Sequence, residues 1–262
     1  MWFLLAIGCG NPFHNAENVA TWANAGSPVG VYALVYEPIA IADGEETFAD
    51  PLCPAVVDDG THLSITGGCT DANGQEWAGV ASIGRSGGDR SVALSGYGSF
   101  SGERVELSGV FDLVEVDAGN YTFHADLVQK GGMTTVIAYD GTVSGGYDVA
   151  TTWNGHGTVE REGPIAPTGI VEVSTVDEVL DDLLCTGQAA SGTTTVEAKG
   201  HEAVITYDGA TDCDAAQAAK LTVDGEDKGL VEGIACSTGA PAPLWVGLGL
   251  GAWVRRRRSG GR

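Results

Sequence analysis

Gly84-Arg85-Ser86-Gly87-Gly88 matches the G-x-S-x-G string of a serine nucleophile. That chemistry needs the serine on a sharp turn between a strand and a helix, with its hydroxyl presented to a base. Here the string leads instead into a strand-like run, Arg90 to Leu94, in a chain with 40 glycines. A hydrolase therefore stays only as an alternative, and no catalytic residue is assigned. Five histidines, His14, His62, His124, His156 and His201, carry no H-x-H or H-E-x-x-H spacing, so they predict no metal site. Oxygen ligands for calcium could gather at Asp208, Asp212 and Asp214 around Cys213, or at Asp71, Asn73 and Glu76 after Cys69. Neither set follows the EF-hand spacing, and acidic turns account for both. Trp77 and Trp153 would stack on sugar rings if exposed on a sheet face, although core packing is the commoner fate. Gly247-Leu-Gly-Leu-Gly251 lies in an apolar tail without the strand and helix that a phosphate loop needs. No cofactor and no metal ligand is expected.

The remaining reactive side chains are six cysteines: Cys9, Cys53, Cys69, Cys185, Cys213 and Cys236. In an exported chain that number points to disulfides. Cys53 and Cys69 flank the Asp58-Asp59-Gly60 turn and are expected to pair. Cys213 and Cys236 are equidistant from Asp224-Gly225, a natural two-residue hairpin turn. Cys185 and Cys213 are equidistant from Lys199, as a three-residue loop Ala198-Lys199-Gly200 would require. Both pairings claim Cys213, and the spacing leaves the choice open.

These residues must be held by strands. Val29, Val31, Ala33 and Val35 alternate with Gly30, Tyr32, Leu34 and Tyr36, the period of a strand. Similar runs are 75–83, 90–100, 103–116, 120–129, 133–139, 147–153, 193–198 and 202–207. Asp-Gly at 43, 59, 140, 208 and 224 and Asn-Gly at 73 and 154 supply pairs that tolerate hairpin turns. The fold class expected is all-β: an antiparallel meander forming a sandwich or barrel. One helical exception is Val176-Asp-Glu-Val-Leu-Asp-Asp-Leu-Leu184, which groups Val176, Val179, Leu180, Leu183 and Leu184 on one face. A second short apolar helix is expected near the C-terminus. Asn15 to Gly26 reads as a tether or one short helix.

The chain has 262 residues, 43% hydrophobic, with a formal net charge of −22. Before Arg255 there are 8 basic against 35 acidic residues, a balance of −27. Such a body repels nucleic acid and anionic lipid, since phosphate binding needs clustered Lys and Arg.

The ends supply an address. Met1-Trp2-Phe3-Leu4-Leu5-Ala6-Ile7-Gly8-Cys9 is a short apolar run closing on a small residue and cysteine. It resembles the lipobox of a bacterial lipoprotein signal, although Ala6 stands where leucine is usual and no basic residue precedes the run. The resemblance implies cleavage before Cys9 and lipid on its sulfur. At the other end, Cys236 is followed by Leu244 to Val254 and by Arg255, Arg256, Arg257 and Arg258. The 11-residue apolar run is short for a membrane span, which takes about 20. Cysteine, apolar helix and arginine cluster in that order resemble the C-terminal sorting tails of bacterial surface proteins, the myxobacterial kind above all. That resemblance implies a tail recognised and removed during surface delivery. The alternative is a plain C-terminal membrane anchor.

The organisation expected is a signal or lipobox-like segment (1–9), a tether (10–27) and a main antiparallel β domain (28–163). After these come a smaller β unit (164–236), separate from the first or continuous with it, and a sorting or anchor tail (237–262). The function expected is that of a non-catalytic lipoprotein-like domain at the cell envelope, outer membrane or cell surface. It would be joined to the membrane by lipid, by tail or by both, and would meet a protein or glycan partner. A glycan- or calcium-binding module is the alternative.

Overall fold

The computed structural model describes residues 11–145, 150–180, 189–207 and 219–231. Three helices come first: α1 (Ala16–Gly26), α2 (Pro28–Ala33) and α3 (Tyr36–Ala42). The strands follow as β1 (Ala55–Asp58), β2 (His62–Thr66), β3 (Cys69–Thr70), β4 (Glu76–Ser86), β5 (Asp89–Phe100), β6 (Glu106–Asp117) and β7 (Asn120–Lys130). Then come β8 (Thr134–Ser144), β9 (Thr151–Glu162), β10 (Gly169–Leu180), β11 (Ala189–Ala198), β12 (His201–Tyr207), β13 (Ala219–Val223) and β14 (Glu226–Val231). All pair antiparallel in sequence order within one sheet, except that short β3 lies beside β4 and off the main path. The chain is all-β, 61% strand and 12% helix, sandwich-like and not a closed barrel. The sheet passes unbroken across 163–168, since β9 and β10 pair from Gly169↔Arg161 onward.

Helix α1 packs on β8 through β11 and also on β14. An 11-residue helix is only about 16 Å long, so strands six positions apart in the sheet can share it only if the sheet curls around it. Helix α2 lies on β8 and β9, and α3 on β4 and β5. The helices therefore fill the concave side. Val19, Trp22, Ala23 and Gly26 make the buried stripe of α1 at helical spacing, and Trp22 is 1% exposed. Asn15 caps this helix, its side chain accepting from the Glu17 amide.

The strand expected from Val29 to Tyr36 is instead the body of α2, a turn at Leu34-Val35 and the first residue of α3. Ser27 caps α2, accepting from the Gly30 amide at 3.0 Å, and Pro28 occupies the first turn, where its missing N–H costs nothing. Val31, Val35 and Ile39, four residues apart, are all buried. With apolar residues on both faces, period two and period four are superimposed in one run, and the cap decides between them. The helix expected at 176–184 is corrected as well: residues up to Leu180 belong to β10, and 181–184 lie outside the described residues. So does the apolar C-terminal helix.

Turn chemistry is as expected at Asp224-Gly225, where both residues have positive φ and join β13 to β14. Lys199-Gly200 is likewise a two-residue turn, with Ala198 paired to His201, and not a three-residue loop. Asp140-Gly141 and Asn154-Gly155 are not turns. They lie inside β8 and β9, and Gly141 pairs with Gly155. A Cβ at Gly141 would sit 2.4 Å from the Phe123 ring, and one at Gly155 would sit 2.4 Å from the Tyr139 ring. Those glycines make room for the stacked rings Phe111, Phe123 and Tyr139, whose successive centroids are 5.6 and 6.0 Å apart.

Candidate functional site

Strand β10 begins by alternation: Val171, Val173 and Thr175 are buried between exposed neighbours. The alternation then breaks. On the β9 side, Thr175 faces Gly155 and Glu178 faces Trp153, so Val176 and Asp177 together oppose Asn154 alone. This is a β-bulge, which re-aims the side chains beyond it. Asp177 takes φ +52°, and its amide donates to Asn154 Oδ1 at 2.8 Å. Across the other edge Gly192, at φ +110°, leaves space for it; a Cβ there would lie 2.4 Å from the Asp177 carbonyl oxygen.

The bulge turns Glu178 into the concave side, where it is 0% exposed. The same sheet carries a cluster of hydroxyls, which Tyr139 links to Glu178. Thr175 Oγ1 and Thr194 Oγ1 share a hydrogen bond of 3.0 Å, and Thr194 Oγ1 shares another of 3.2 Å with the Tyr207 hydroxyl. Tyr139 completes the cluster. Burial drives its phenol far above the ordinary tyrosine range; the Thr175 hydroxyl opposes this, and the nearby Glu178 carboxylate reinforces it. Trp153, also buried, turns its indole N–H onto Thr151 Oγ1 at 2.9 Å. In a low-dielectric interior each of these polar groups needs a hydrogen-bonding partner, and the cluster supplies them to one another. The cluster sets no nucleophile next to a base.

A second, half-buried acid lies in the first turn of α3. The Tyr97 hydroxyl donates to Glu37 Oε2 at 3.0 Å. Burial pushes the Glu37 carboxyl up to about 7; the Tyr97 bond opposes this and the charge of Glu46 adds to it.

Ser86 ends β4, and Gly87-Gly88 turn the chain directly into β5. The setting is strand–turn–strand, not the strand–turn–helix of a nucleophile elbow. Arg85 in the same string ties elements together, its guanidinium donating to the Ala42 carbonyl at the end of α3 and pairing with Asp58. Cys53 and Cys69 form a disulfide, with Cα atoms 5.9 Å apart. Cys9, Cys185, Cys213, Cys236 and Arg255 to Arg258 lie outside the described residues, as do Asp208, Asp212, Asp214 and the Gly247–Gly251 run. Asp71 is used by its own turn, accepting from the amides of Asn73 and Gln75. Among the described residues no group of three or more His, Cys, Asp or Glu is arranged to hold a metal ion. Trp77 and Trp153 are both buried, so neither offers a face to a sugar.

Sequence reasoning leaves the histidines scattered, yet the register brings two of them together. His124 on β7 and His156 on β9 both face Asp140 on β8. The signal lies in the hairpin lengths, since each of these partners is 16 residues from the next. Nothing in the sequence pattern announces Glu178, because a bulge is invisible to a period. Comparison with protein-family models, curated proteins and solved structures gives no match to this chain.

Proposed function

We propose that this chain is an exported β domain held at a bacterial cell envelope, acting through its surface and not through catalysis. The observation that carries the reading is the Cys53–Cys69 disulfide, which ties the segment before β1 to β3. Structural disulfides persist in oxidising compartments outside the cytoplasm. The lipobox-like run ending at Cys9 and the arginine-ended tail after Cys236 point the same way. The strand–turn–strand setting of Ser86 weighs against the hydrolase alternative, and the burial of both tryptophans weighs against sugar stacking.

The test is the intact mass of the full chain produced in a lipidating bacterial host, measured without reduction. Loss of the residues before Cys9, a gain of diacylglyceryl and loss of the arginine tail are expected, with Cys53 and Cys69 oxidised. An unprocessed and fully reduced chain would overturn the proposal.

A further inference from the structure

Six successive register partners form a row across the convex face: Ser91 on β5, Asp112 on β6, His124 on β7, Asp140 on β8, His156 on β9 and Ser174 on β10. Each step is one strand spacing, about 4.8 Å. Ser91 Oγ donates to Asp112 Oδ1 at 2.5 Å, and His124 Nδ1 meets Asp140 Oδ1 at 2.8 Å. His124 Nε2 lies 3.4 Å from Asp126 Oδ2 on its own strand. An imidazole can donate to a carboxylate on each nitrogen only when protonated, so this pair of aspartates favours the cation. These carboxylates, Asp140 first, hold the His124 pKa above the ordinary histidine value. The row carries its charge in the open: the side chains of His124 and Asp140 are 47% and 63% exposed.

In chain order of the strands the row is Ser–Asp–His–Asp–His–Ser. Turned about a two-fold axis parallel to the strands and laid on itself, it sets each aspartate against a histidine and each serine against a serine. Like residues would face each other about an axis along the row, so only the first orientation is attractive. The neighbouring row, Ala93–Val110–Asp126–Ala138–Thr158–Glu172, tolerates the same operation. It places Asp126 against Ala138, Glu172 against Ala93 and the exposed Val110 against Thr158. We infer that the convex face of β5 to β10 is a docking surface for a second copy of this chain, joined through the Asp112–His124–Asp140–His156 row and released as His124 loses its proton.

The charged groups facing the two imidazoles are Asp112 on β6, Asp126 on β7, Asp140 on β8 and, one row away, Glu172 on β10. Protonated, His124 offsets the charge of Asp140; deprotonated, it leaves Asp140 and Asp126 unopposed in each copy, and the like-charged faces repel. Because the sheet curls across its strands, two convex faces touch only at the middle of the row, where His124 meets Asp140 of the second copy, and the dimer belongs to the weak class below about 1,200 Å².

The test is sedimentation equilibrium of the full chain over a concentration series at pH 6 and pH 8, with EDTA present. The expected result is a dimer at least about tenfold tighter at the lower pH. His124→Gln/His156→Gln should remove that difference, and Asp112→Asn/Asp140→Asn should weaken the dimer at the lower pH. Circular dichroism checks that these exposed variants fold. A monomer at both pH values overturns the inference. So does equal association of the histidine variant, which would trace the effect to the general loss of negative charge toward the pI of 4.3. Association seen only when EDTA is omitted also overturns it, in favour of a metal bridge.

Discussion

The polar row and the buried polar cluster of this protein lie on opposite faces of the same sheet and are built by opposite means. On the convex face, Asp112, His124, Asp140 and His156 align because β6 to β9 run in unbroken register through this row. On the concave face, Glu178 is buried because β10 breaks its register beside Asn154 and Gly192. The first arrangement is cheap: exposed charges keep their water, and such pairs contribute about 0–1 kcal/mol each. The second needs a left-handed residue at Asp177, a glycine opposite it and a cluster of hydroxyls on neighbouring strands. Regular pairing places groups for recognition at little energetic cost, whereas burying a polar group requires a local exception to the fold.

The most severe challenge to the contrast is to remove the exception. Gly192→Val adds a Cβ 2.4 Å from the Asp177 carbonyl oxygen at a φ that valine avoids. A loss of about 3 kcal/mol or more is expected, read as a lower urea midpoint. The next effect tests the other acid. Glu37 has a folded pKa of about 7 against an ordinary 4.5, so the charged form is the one the fold disfavours. Stability is full below pH 4.5 and declines as pH rises through 7. Glu37→Gln should therefore gain about 2 kcal/mol at pH 8, the full shift being discounted for residual solvent contact, and gain nothing at pH 4. An equal gain at both pH values would sink this account of Glu37.

Strands β4 to β8 and β11 to β12 can be located in the sequence because inward and outward residues alternate between Gly-bearing turns, whereas the run 147–153 meets only the start of β9 (Thr151–Glu162). The alternation carries no mark for three things. Residues 28–42 are apolar on both faces, so their helices are settled by the Ser27 cap and by burial under the sheet. The Asp140-Gly141 and Asn154-Gly155 pairs read as turns, yet their glycines serve ring packing inside strands. The run 176–180 has helical spacing because the bulge inserts one residue into a period of two, and a strand with such an insertion imitates a helix over a few positions. Only part of the convex row was within reach: a hairpin turn at 131–133 places His124 opposite Asp140, whereas Asp112 comes opposite His124 through a bulge between Glu115 and Asp117 that shifts the register by one.

Smaller effects distinguish the two faces more finely. Tyr139→Phe keeps the ring stacked on Phe123 but removes a hydroxyl from the Glu178 cluster. A loss of about 1 kcal/mol is expected, and a stability gain would show that this hydroxyl is a burden on the core. His124→Ala, on the open face, should change stability by no more than about 0.5 kcal/mol at any pH. Its sign is nonetheless set. The carboxylates of Asp140 and Asp126 raise the folded pKa above the ordinary 6.5, so the contribution is present below pH 6.5 and is lost as pH rises through the folded value. The variant should therefore be slightly less stable than the parent at pH 5.5 and equal to it at pH 9, by paired urea titrations. A loss at pH 9 comparable with that of Gly192→Val would mean that His124 supports the sheet itself, and the division of labour between the two faces would fail.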